Sequence, residues 1–150
     1  MKNRFSFRAY IKEEKVMRQV SAIEYDEETI ITGCYINEKC YRNGDTSCYN
    51  FDDVELMQCT GVTDKNGKLI YEGDIFKNPL GAGCGIVKYG IYRQLDKSRD
   101  YQNVDCGFYV FWNVNFSFKA LRTDLNFWAS KKVIGNIYEN PELVQSSVEE

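Results

Sequence analysis

Apolar side chains recur with a period of two near residue 110, and this pattern constrains the fold more than any other feature of the sequence. Every even position from 108 to 118 is apolar: Phe108, Val110, Trp112, Val114, Phe116 and Phe118. The odd positions begin apolar at Tyr109 and Phe111 and then become polar. Because successive side chains of a strand point to opposite faces, one face is predicted to be buried throughout and the other over its first half.

The same period occurs at the N-terminus, and the sequence as a whole predicts a mainly β fold built from antiparallel sheets. Residues 4–10 place Phe5, Phe7 and Ala9 on one face and arginine and serine on the other, which predicts a half-buried strand. The segments 16–25 and 30–36 contain many β-branched residues and predict two further strands, although 16–25 also fits a helical stripe. The polar residues 37–50 predict a loop, and a β-rich α+β fold is the alternative.

Length and composition indicate one globular domain over residues 1–150 that holds no familiar catalytic dyad. Hydrophobic residues make up 43% of the chain and aromatic residues 15%, which is enough apolar material for a core. The sequence contains no histidine. Nucleophilic dyads and metal sites that need an imidazole are therefore excluded, and we predict a protein without enzymatic activity or cofactor.

The six cysteines predict neither a disulfide framework nor a zinc site. They are Cys34, Cys40, Cys48, Cys59, Cys84 and Cys106. Zinc ligands usually come in close pairs, two to four residues apart, and no pair here has that spacing. We therefore expect buried thiols and no metal, with Cys40 and Cys48 the most exposed because they flank a polar turn.

The charge distribution leaves open a second kind of partner, nucleic acid. The formal net charge is −3, which disfavours binding through phosphates. The N-terminal residues nevertheless carry a local basic excess that predicts a basic face: Arg4, Arg8, Lys12, Lys15 and Arg18. Four acidic residues follow, Glu24, Asp26, Glu27 and Glu28, and are expected to neutralise this basic excess across neighbouring strands. The N-terminus has no apolar run typical of a signal peptide, so we expect a cytoplasmic protein.

Glycines and aspartates in the centre of the chain predict several turns. Asn66-Gly67 is the strongest turn signal, and Gly61 and Gly73 mark two further positions that need unusual backbone dihedrals. Asp74 is expected to cap main-chain amides of the turn before it. A carboxylate-dependent hydrolase that uses Glu72 and Asp74 is a third functional hypothesis, since residues two apart share a face of an extended strand.

Three segments of the chain resemble the YopX family of phage and prophage proteins. The first reads Phe-Ser-Phe-Arg-Ala-Tyr at residues 5–10, and the second runs from Leu-Met-Gln-Cys-Thr-Gly at 56–61 to Tyr-Glu-Gly-Asp-Ile at 71–75. The third is Val-Ile-Gly-Asn-Ile-Tyr-Glu-Asn-Pro-Glu-Leu at 133–143. Cys59 and Phe76 depart from the family pattern as substitutions in the core.

The resemblance implies a β fold, with an N-terminal sheet subdomain at 1–60 and a small SH3-like barrel at 61–144. It implies a bacterial host cell and supplies no catalytic residue. The family-motif residues are expected to be structural: Gly61, Asp64, Gly67, Tyr71, Gly73, Asp74, Gly135, Asn136, Asn140 and Pro141. We expect an accessory protein that binds another macromolecule, a protein in the first place, and that forms homo-oligomers through its sheet edges.

Overall fold

The computed structural model describes residues 5–24, 33–36, 48–78, 83–96, 101–113, 125 and 129–145. Its strands, in chain order, are β1 (Phe7–Ile11), β2 (Val16–Glu24), β3 (Gly33–Ile36), β4 (Cys48–Asn50), β5 (Val54–Thr63), β6 (Leu69–Tyr71), β7 (Asp74–Lys77), β8 (Cys84–Asp96), β9 (Tyr101–Asn113) and β10 (Val133–Asn136). A 3-10 helix, Phe51–Asp53, precedes β5, and a short helix α1, Glu142–Gln145, follows β10. The fold is mainly β, as predicted.

The chain divides into two compact units, Met1–Cys59 and Thr60–Glu150. In the first unit, β1 lies between two antiparallel neighbours, β2 on one side and the beginning of β5 on the other. β3 pairs with β2, and β4 pairs with β3. The sheet order is β4-β3-β2-β1-β5, and β6 continues it beyond β5. The prediction of strands at 16–25 and 30–36 is confirmed over β2 and β3, whereas Cys48–Asn50, predicted as loop, forms β4.

Alternating side chains of β1 build the core of the first unit. Ala9 and Ile11 are buried together with Val54, the first residue of β5. Phe5 was expected on the same buried face, but it precedes β1 and is 84% exposed. Arg8 was expected on the polar face, but it is buried. The strand is therefore confirmed, while its first residue and its polar face were predicted wrongly.

The second unit contains a four-stranded antiparallel sheet in the order β10-β7-β8-β9. Across the two sheets of the chain, the strand pairing is antiparallel, and one sheet is curled into a half-barrel. β8 and β9 pair along their whole length, from Cys84 opposite Asn113 to Asp96 opposite Tyr101. We call this pair the β8–β9 ribbon. An SH3-like barrel in this half of the chain stays a prediction.

Aromatic and aliphatic side chains of the second unit form one core cluster. Its buried members are Ile70, Phe76, Val87, Val110, Trp112, Leu125 and Val133. Phe108 is partly buried and packs against this cluster. The predicted strand near residue 110 is thus confirmed, and so is the burial of Val110 and Trp112, while Phe108 is buried only in part. Positions 114, 116 and 118 lie outside the described residues. Cys59 and Phe76, expected as core substitutions, are both fully buried.

Candidate functional site

Asp64 organises the turn between β5 and β6. Its Oδ1 accepts hydrogen bonds from the main-chain N–H groups of Asn66, at 2.8 Å, and Lys68, at 3.0 Å. Its Oδ2 accepts a third from the N–H of Val133, the first residue of β10, at 3.1 Å. The side chain is buried. One carboxylate therefore satisfies three main-chain donors and ties this turn to β10, which is distant in sequence.

The same contacts determine the charge of Asp64. Its removal from water, taken alone, raises the pKa of the carboxyl group. The hydrogen bonds from Val133, Lys68 and Asn66 stabilise the ionised form, and the positive charge of Lys68 adds to them. Together these donors and this charge outweigh burial, and the pKa of Asp64 lies below its usual value. Asp64 is thus a stable anion at neutral pH rather than a group that exchanges protons there.

The turn itself follows the prediction made from Asn66 and Gly67. Gly67 has a φ of +79°, a left-handed conformation that glycine adopts without steric cost. Its N–H donates to the carbonyl oxygen of Asp64 at 2.9 Å, and the N–H of Asp64 donates to that of Lys68 at 2.7 Å. Side-chain and main-chain hydrogen bonds thus fix the same four-residue turn.

Asp74 caps the next turn, as predicted. It is fully buried, and its Oδ2 accepts a hydrogen bond from the N–H of Tyr71 at 2.9 Å. Between them, Glu72 and Gly73 form a turn, in which Gly73 has a φ of +79°. The hydrolase hypothesis required Glu72 and Asp74 on one extended strand. That geometry is wrong, because the left-handed glycine interrupts the strand between them.

Asn136 organises the turn that follows β10. Its Oδ1 accepts hydrogen bonds from the N–H groups of Tyr138, at 3.1 Å, and Glu139, at 2.9 Å. Its Nδ2 donates to the Glu139 carboxylate at 2.6 Å. The arrangement resembles that at Asp64, since in both turns a buried polar side chain accepts hydrogen bonds from main-chain N–H groups of its own turn.

Gly135, Asn140 and Pro141 complete this turn. The Oδ1 of Asn140 accepts from the N–H of Asn136 at 3.3 Å, and its own N–H donates to the Asn136 carbonyl oxygen at 2.9 Å. A Cβ atom at Gly135 would collide with the side chain of Asn140, so only glycine permits this approach. Pro141 follows and lies in the turn that leads into α1, as its position after an asparagine predicts.

The structure brings most of the family-motif residues together around β10. Asn136 lies opposite Asp74 in the β7–β10 ladder, and the N–H of Ile137 donates to the carbonyl oxygen of Gly73 at 3.0 Å. The Asp64 turn joins the same strand through Val133. Gly61 is the exception, since it lies in β5, with a φ of +80° and open space around the position of a Cβ atom.

The motif cluster offers little chemistry beyond these contacts. Its carboxylates accept hydrogen bonds from main-chain N–H groups, which favours the structural role expected from the sequence. Among the described residues, no group of three or more Cys, Asp or Glu side chains is close enough to hold a metal ion. Within the same ranges, no helical segment has the length and apolar character needed to cross a bilayer.

The predicted basic face is largely occupied by contacts inside the first unit. Arg8 is 7% exposed, and its Nε donates to the Met57 sulfur at 3.4 Å. The Lys12 ammonium lies 3.0 Å from a Glu55 carboxylate oxygen and also donates to a main-chain carbonyl. Arg18 pairs with a carboxylate too, that of Glu14, at 3.4 Å. Lys15 is exposed, whereas Arg4 and the acidic residues Asp26, Glu27 and Glu28 lie outside the described residues. The basic face is therefore smaller than predicted, because Arg8 does not belong to it.

The described cysteines differ from the expectation in one respect. Cys59 and Cys84 are free thiols and buried, as expected for small hydrophobic residues, and the Cys84 thiol donates to the Leu143 carbonyl oxygen at 3.0 Å. Cys106 is a free thiol that is exposed. Exposure was expected instead at Cys40, which lies outside the described residues, and at Cys48, for which it stays a prediction.

Sequence reasoning missed an apolar surface on the outer part of the β8–β9 ribbon. Cross-strand partners place Val87, Val110, Phe108 and Cys106 on the same face of the ribbon. At the end of the ribbon where β8 pairs with β7, this face belongs to the core cluster, but farther along the ribbon it is exposed. The exposed members, which we call the apolar patch, are Tyr89, Ile91, Val104 and Cys106. Tyr89 is 57% exposed, Ile91 72% and Val104 62%.

On the other face of the ribbon, aromatic side chains contact one another and a lysine. Gly90 lies opposite Gly107, and the rings of Tyr92 and Tyr109 stack with their centroids 5.1 Å apart. Both tyrosines lie on the same face as the glycine pair, which has no side chains to separate the rings. The Lys88 ammonium lies 4.4 Å from the centre of the Phe111 ring on this face. On the patch face the Tyr89 ring also contacts a neighbouring ring, that of Phe108, edge to face at 5.1 Å. The two faces differ in that Ile91 and Val104, farther along the patch face, remain largely exposed.

Comparisons with known proteins agree with the three sequence motifs. The family model described as YopX protein matches residues 6–145. Among solved structures, the crystal structure of protein EF1440 from Enterococcus faecalis is similar over 93% of this chain and 96% of that chain, at 25% sequence identity and a TM-score of 0.48. No curated protein matches the sequence. Because the family model matches far more than half of the residues, the chain belongs to the YopX family.

Proposed function

We propose that this protein is a non-enzymatic phage or prophage accessory protein that binds another protein through the apolar patch of the β8–β9 ribbon. The observation that carries the proposal is the exposure of Tyr89, Ile91 and Val104 on the same face as the core. Exposed contiguous apolar side chains mark protein-binding surfaces in soluble domains, and tyrosine is enriched there. The YopX family is not known for enzymatic activity, which is in line with this proposal.

The chemistry of the patch restricts its partner. Its four members are apolar or uncharged residue types, and the ladder places Arg93 at the outer end of the same face, opposite Val104. A partner surface with charges at the centre of the contact would therefore lose hydration without gaining an ion pair there. The partner is therefore a protein with an uncharged apolar surface. Nucleic acid is a weaker candidate, because a base-stacking platform interleaves several cationic groups with its rings, whereas the described ribbon places one cationic residue, Arg93, on this face.

A pair of lysine substitutions tests the binding role. Ile91→Lys places a charge in the patch, and Thr63→Lys places the same charge on an exposed strand position outside the ribbon. We expect tagged wild-type protein and Thr63→Lys to co-purify the same protein from the cells that naturally produce this chain, and Ile91→Lys to lose it. The isolated partner should then bind the purified wild-type chain. Equal capture by all three proteins contradicts the proposal.

The nucleic-acid alternative has a direct test of its own. Among the described residues of the first unit, the exposed cations are Lys12, Lys15 and Arg18, and two of these three, Lys12 and Arg18, are paired with carboxylates. We therefore expect no change in fluorescence anisotropy when the protein is titrated into labelled single- or double-stranded DNA at low salt. Binding through phosphates is strongest under this condition. Binding at low salt that weakens as salt is raised would favour the alternative.

A further inference from the structure

We propose that the outer edge of β9 pairs antiparallel with β9 of a second copy of this chain, in a register centred on Cys106. The proposal goes beyond the proposed function, because it concerns the main-chain edge of β9 and not the capture of another protein by the apolar patch. Among the described strands, β9 has a neighbour on one side only, β8, and is the last strand of its sheet. A strand with no described neighbour on its other side offers main-chain donors and acceptors to a further strand.

The sequence of β9 lacks the features that normally protect such an edge. Edge strands usually carry lysine, proline or a bulge, each of which hinders pairing with another chain. β9 has neither lysine, arginine nor proline, and its ladder with β8 runs without a register shift over all 13 residues. Asp105 is the one charged residue of the strand. A long, regular and nearly uncharged edge is suited to pairing.

The second copy is the partner that fits this edge by symmetry. An antiparallel pair of identical strands has a two-fold axis, so each copy offers the same hydrogen-bonding groups to the other. Side chains opposite each other in such a pair lie on the same face. The axis therefore passes between one residue and the same residue of the other copy. Val104 and Cys106, the patch members of β9, then lie on one common apolar face in both copies.

The single charge of β9 selects the register. An axis through Asp105 would place two carboxylates directly opposite each other, which is unfavourable. An axis through Cys106 places Asp105 opposite Gly107 of the other copy, which has no side chain. The same register places Val104 opposite Phe108 of the other copy. Residues 104–106, the exposed part of the strand, then lie at the centre of the contact.

The register makes a geometric prediction about Cys106. Residues on the axis face each other with Cα atoms about 4.5–5.5 Å apart. That distance lies within the range of about 4.4–6.8 Å that a disulfide requires. Val104 and its copy are offset by four residues, which separates their Cα atoms by roughly 14 Å. A disulfide therefore forms at position 106 and not at position 104.

Sedimentation velocity tests the pairing. We expect the wild-type chain to form dimers whose fraction rises with concentration, and Val104→Lys to raise the dimer dissociation constant about tenfold or more. Thr63→Lys and Ile91→Lys should retain the dimer, since the first lies outside the ribbon and the second on the inner strand β8. Urea denaturation of each variant shows whether it is folded. A strictly monomeric wild type overturns the proposal, as does a dimer that survives in folded Val104→Lys.

Oxidative cross-linking tests the register. Diamide takes up the two protons and two electrons of two thiols as their S–S bond forms, and peptide mass spectrometry identifies the linked cysteines. We expect a Cys106–Cys106 link in the wild type, and no link at position 104 in the Val104→Cys, Cys106→Ser double variant. A link at 104 without one at 106 overturns the register.

Failure of this proposal is distinguishable from failure of the proposed function. Loss of the dimer in Val104→Lys is a property of the purified chain alone, whereas the proposed function is tested by capture of another protein. A monomeric wild type that still captures a partner through Ile91 overturns the pairing and leaves the binding role in place.

Discussion

The Oδ2 atom of Asp64 accepts a hydrogen bond from the N–H of Val133, 3.1 Å away across 69 positions of the sequence. The contact joins the turn after β5 to the first residue of β10. The neighbouring N–H of Lys65 donates to the Lys131 carbonyl oxygen at 3.1 Å, so the two segments are linked by side chain and main chain together. The second and third family motifs, which are far apart in sequence, thus meet at one carboxylate.

Replacement of Asp64 is expected to destabilise the protein strongly. Asp64→Ala removes the acceptor of three N–H groups, and the N–H of the buried Val133 is left without this partner. An unsatisfied buried donor costs about 1–3 kcal/mol, which should appear as a lower urea midpoint. Asp52→Ala, at an exposed position of the 3-10 helix and outside the ribbon, is the control and should leave the midpoint nearly unchanged. Equal midpoints for Asp64→Ala and the control would contradict the structural role.

The same carboxylate predicts the pH dependence of stability. Because the pKa of Asp64 is lowered in the folded protein, its contribution is fully present above the unfolded-state pKa, near 4. It is lost as the pH falls through the lower, folded-state pKa. We expect the free energies of unfolding of wild type and Asp64→Asn to differ most at neutral pH and to converge in acid. Denaturation at a series of pH values measures this, and a difference that grows on acidification would contradict it.

Local patterns predicted the strands and turns because their causes are local. The alternation of apolar and polar side chains predicted β1 and β9. The tolerance of Gly67 and Gly73 for a left-handed backbone predicted two turns. Two of the predictions were in conflict, however. Gly73 was expected to need an unusual dihedral, whereas the hydrolase hypothesis required Glu72 and Asp74 to be neighbours on one extended strand. The structure agrees with the first of these predictions: the left-handed Gly73 forms a turn with Glu72, so Glu72 and Asp74 do not lie on one continuous strand.

Features that depend on tertiary contacts could not be predicted from local sequence patterns. The burial of Arg8 depends on the sulfur of Met57, which lies on the neighbouring strand β5. The apolar patch was missed for a related reason: alternation shows which side chains share a face, but not how far the core extends along it. The face of β9 that buries Val110 exposes Val104, since the ribbon is longer than the core beneath it.

Two glycines are required for different reasons, and substitutions separate them. At Gly67, with a φ of +79° and open space around it, alanine should cost about 1–2 kcal/mol, and asparagine less because it tolerates this conformation. At Gly85, a Cβ atom would lie 2.7 Å from the Trp112 ring and clash with Val110 as well. Alanine should cost about 1–3 kcal/mol there, and the larger asparagine more.

Urea midpoints of the four variants measure this contrast. Rescue by asparagine at Gly67 and its absence at Gly85 is the expected pattern. If asparagine is the better tolerated substitution at both positions, the clash between Gly85 and the core residues of β9 is contradicted.

Thiol reactivity offers the last check on the placement of the ribbon. Cys106 is exposed on β9, whereas Cys59 and Cys84 are buried, and a thiol must reach the reagent to be alkylated. Under native conditions, brief treatment with iodoacetamide should modify Cys106 well before Cys59 and Cys84, and urea should remove this difference. Peptide mass spectrometry reads the modification of each cysteine separately. Because pairing of two β9 strands would also shield Cys106, the measurement is made at a protein concentration at which sedimentation shows monomer. Equal labelling of all three thiols in the native monomer would contradict the burial of Cys59 and Cys84.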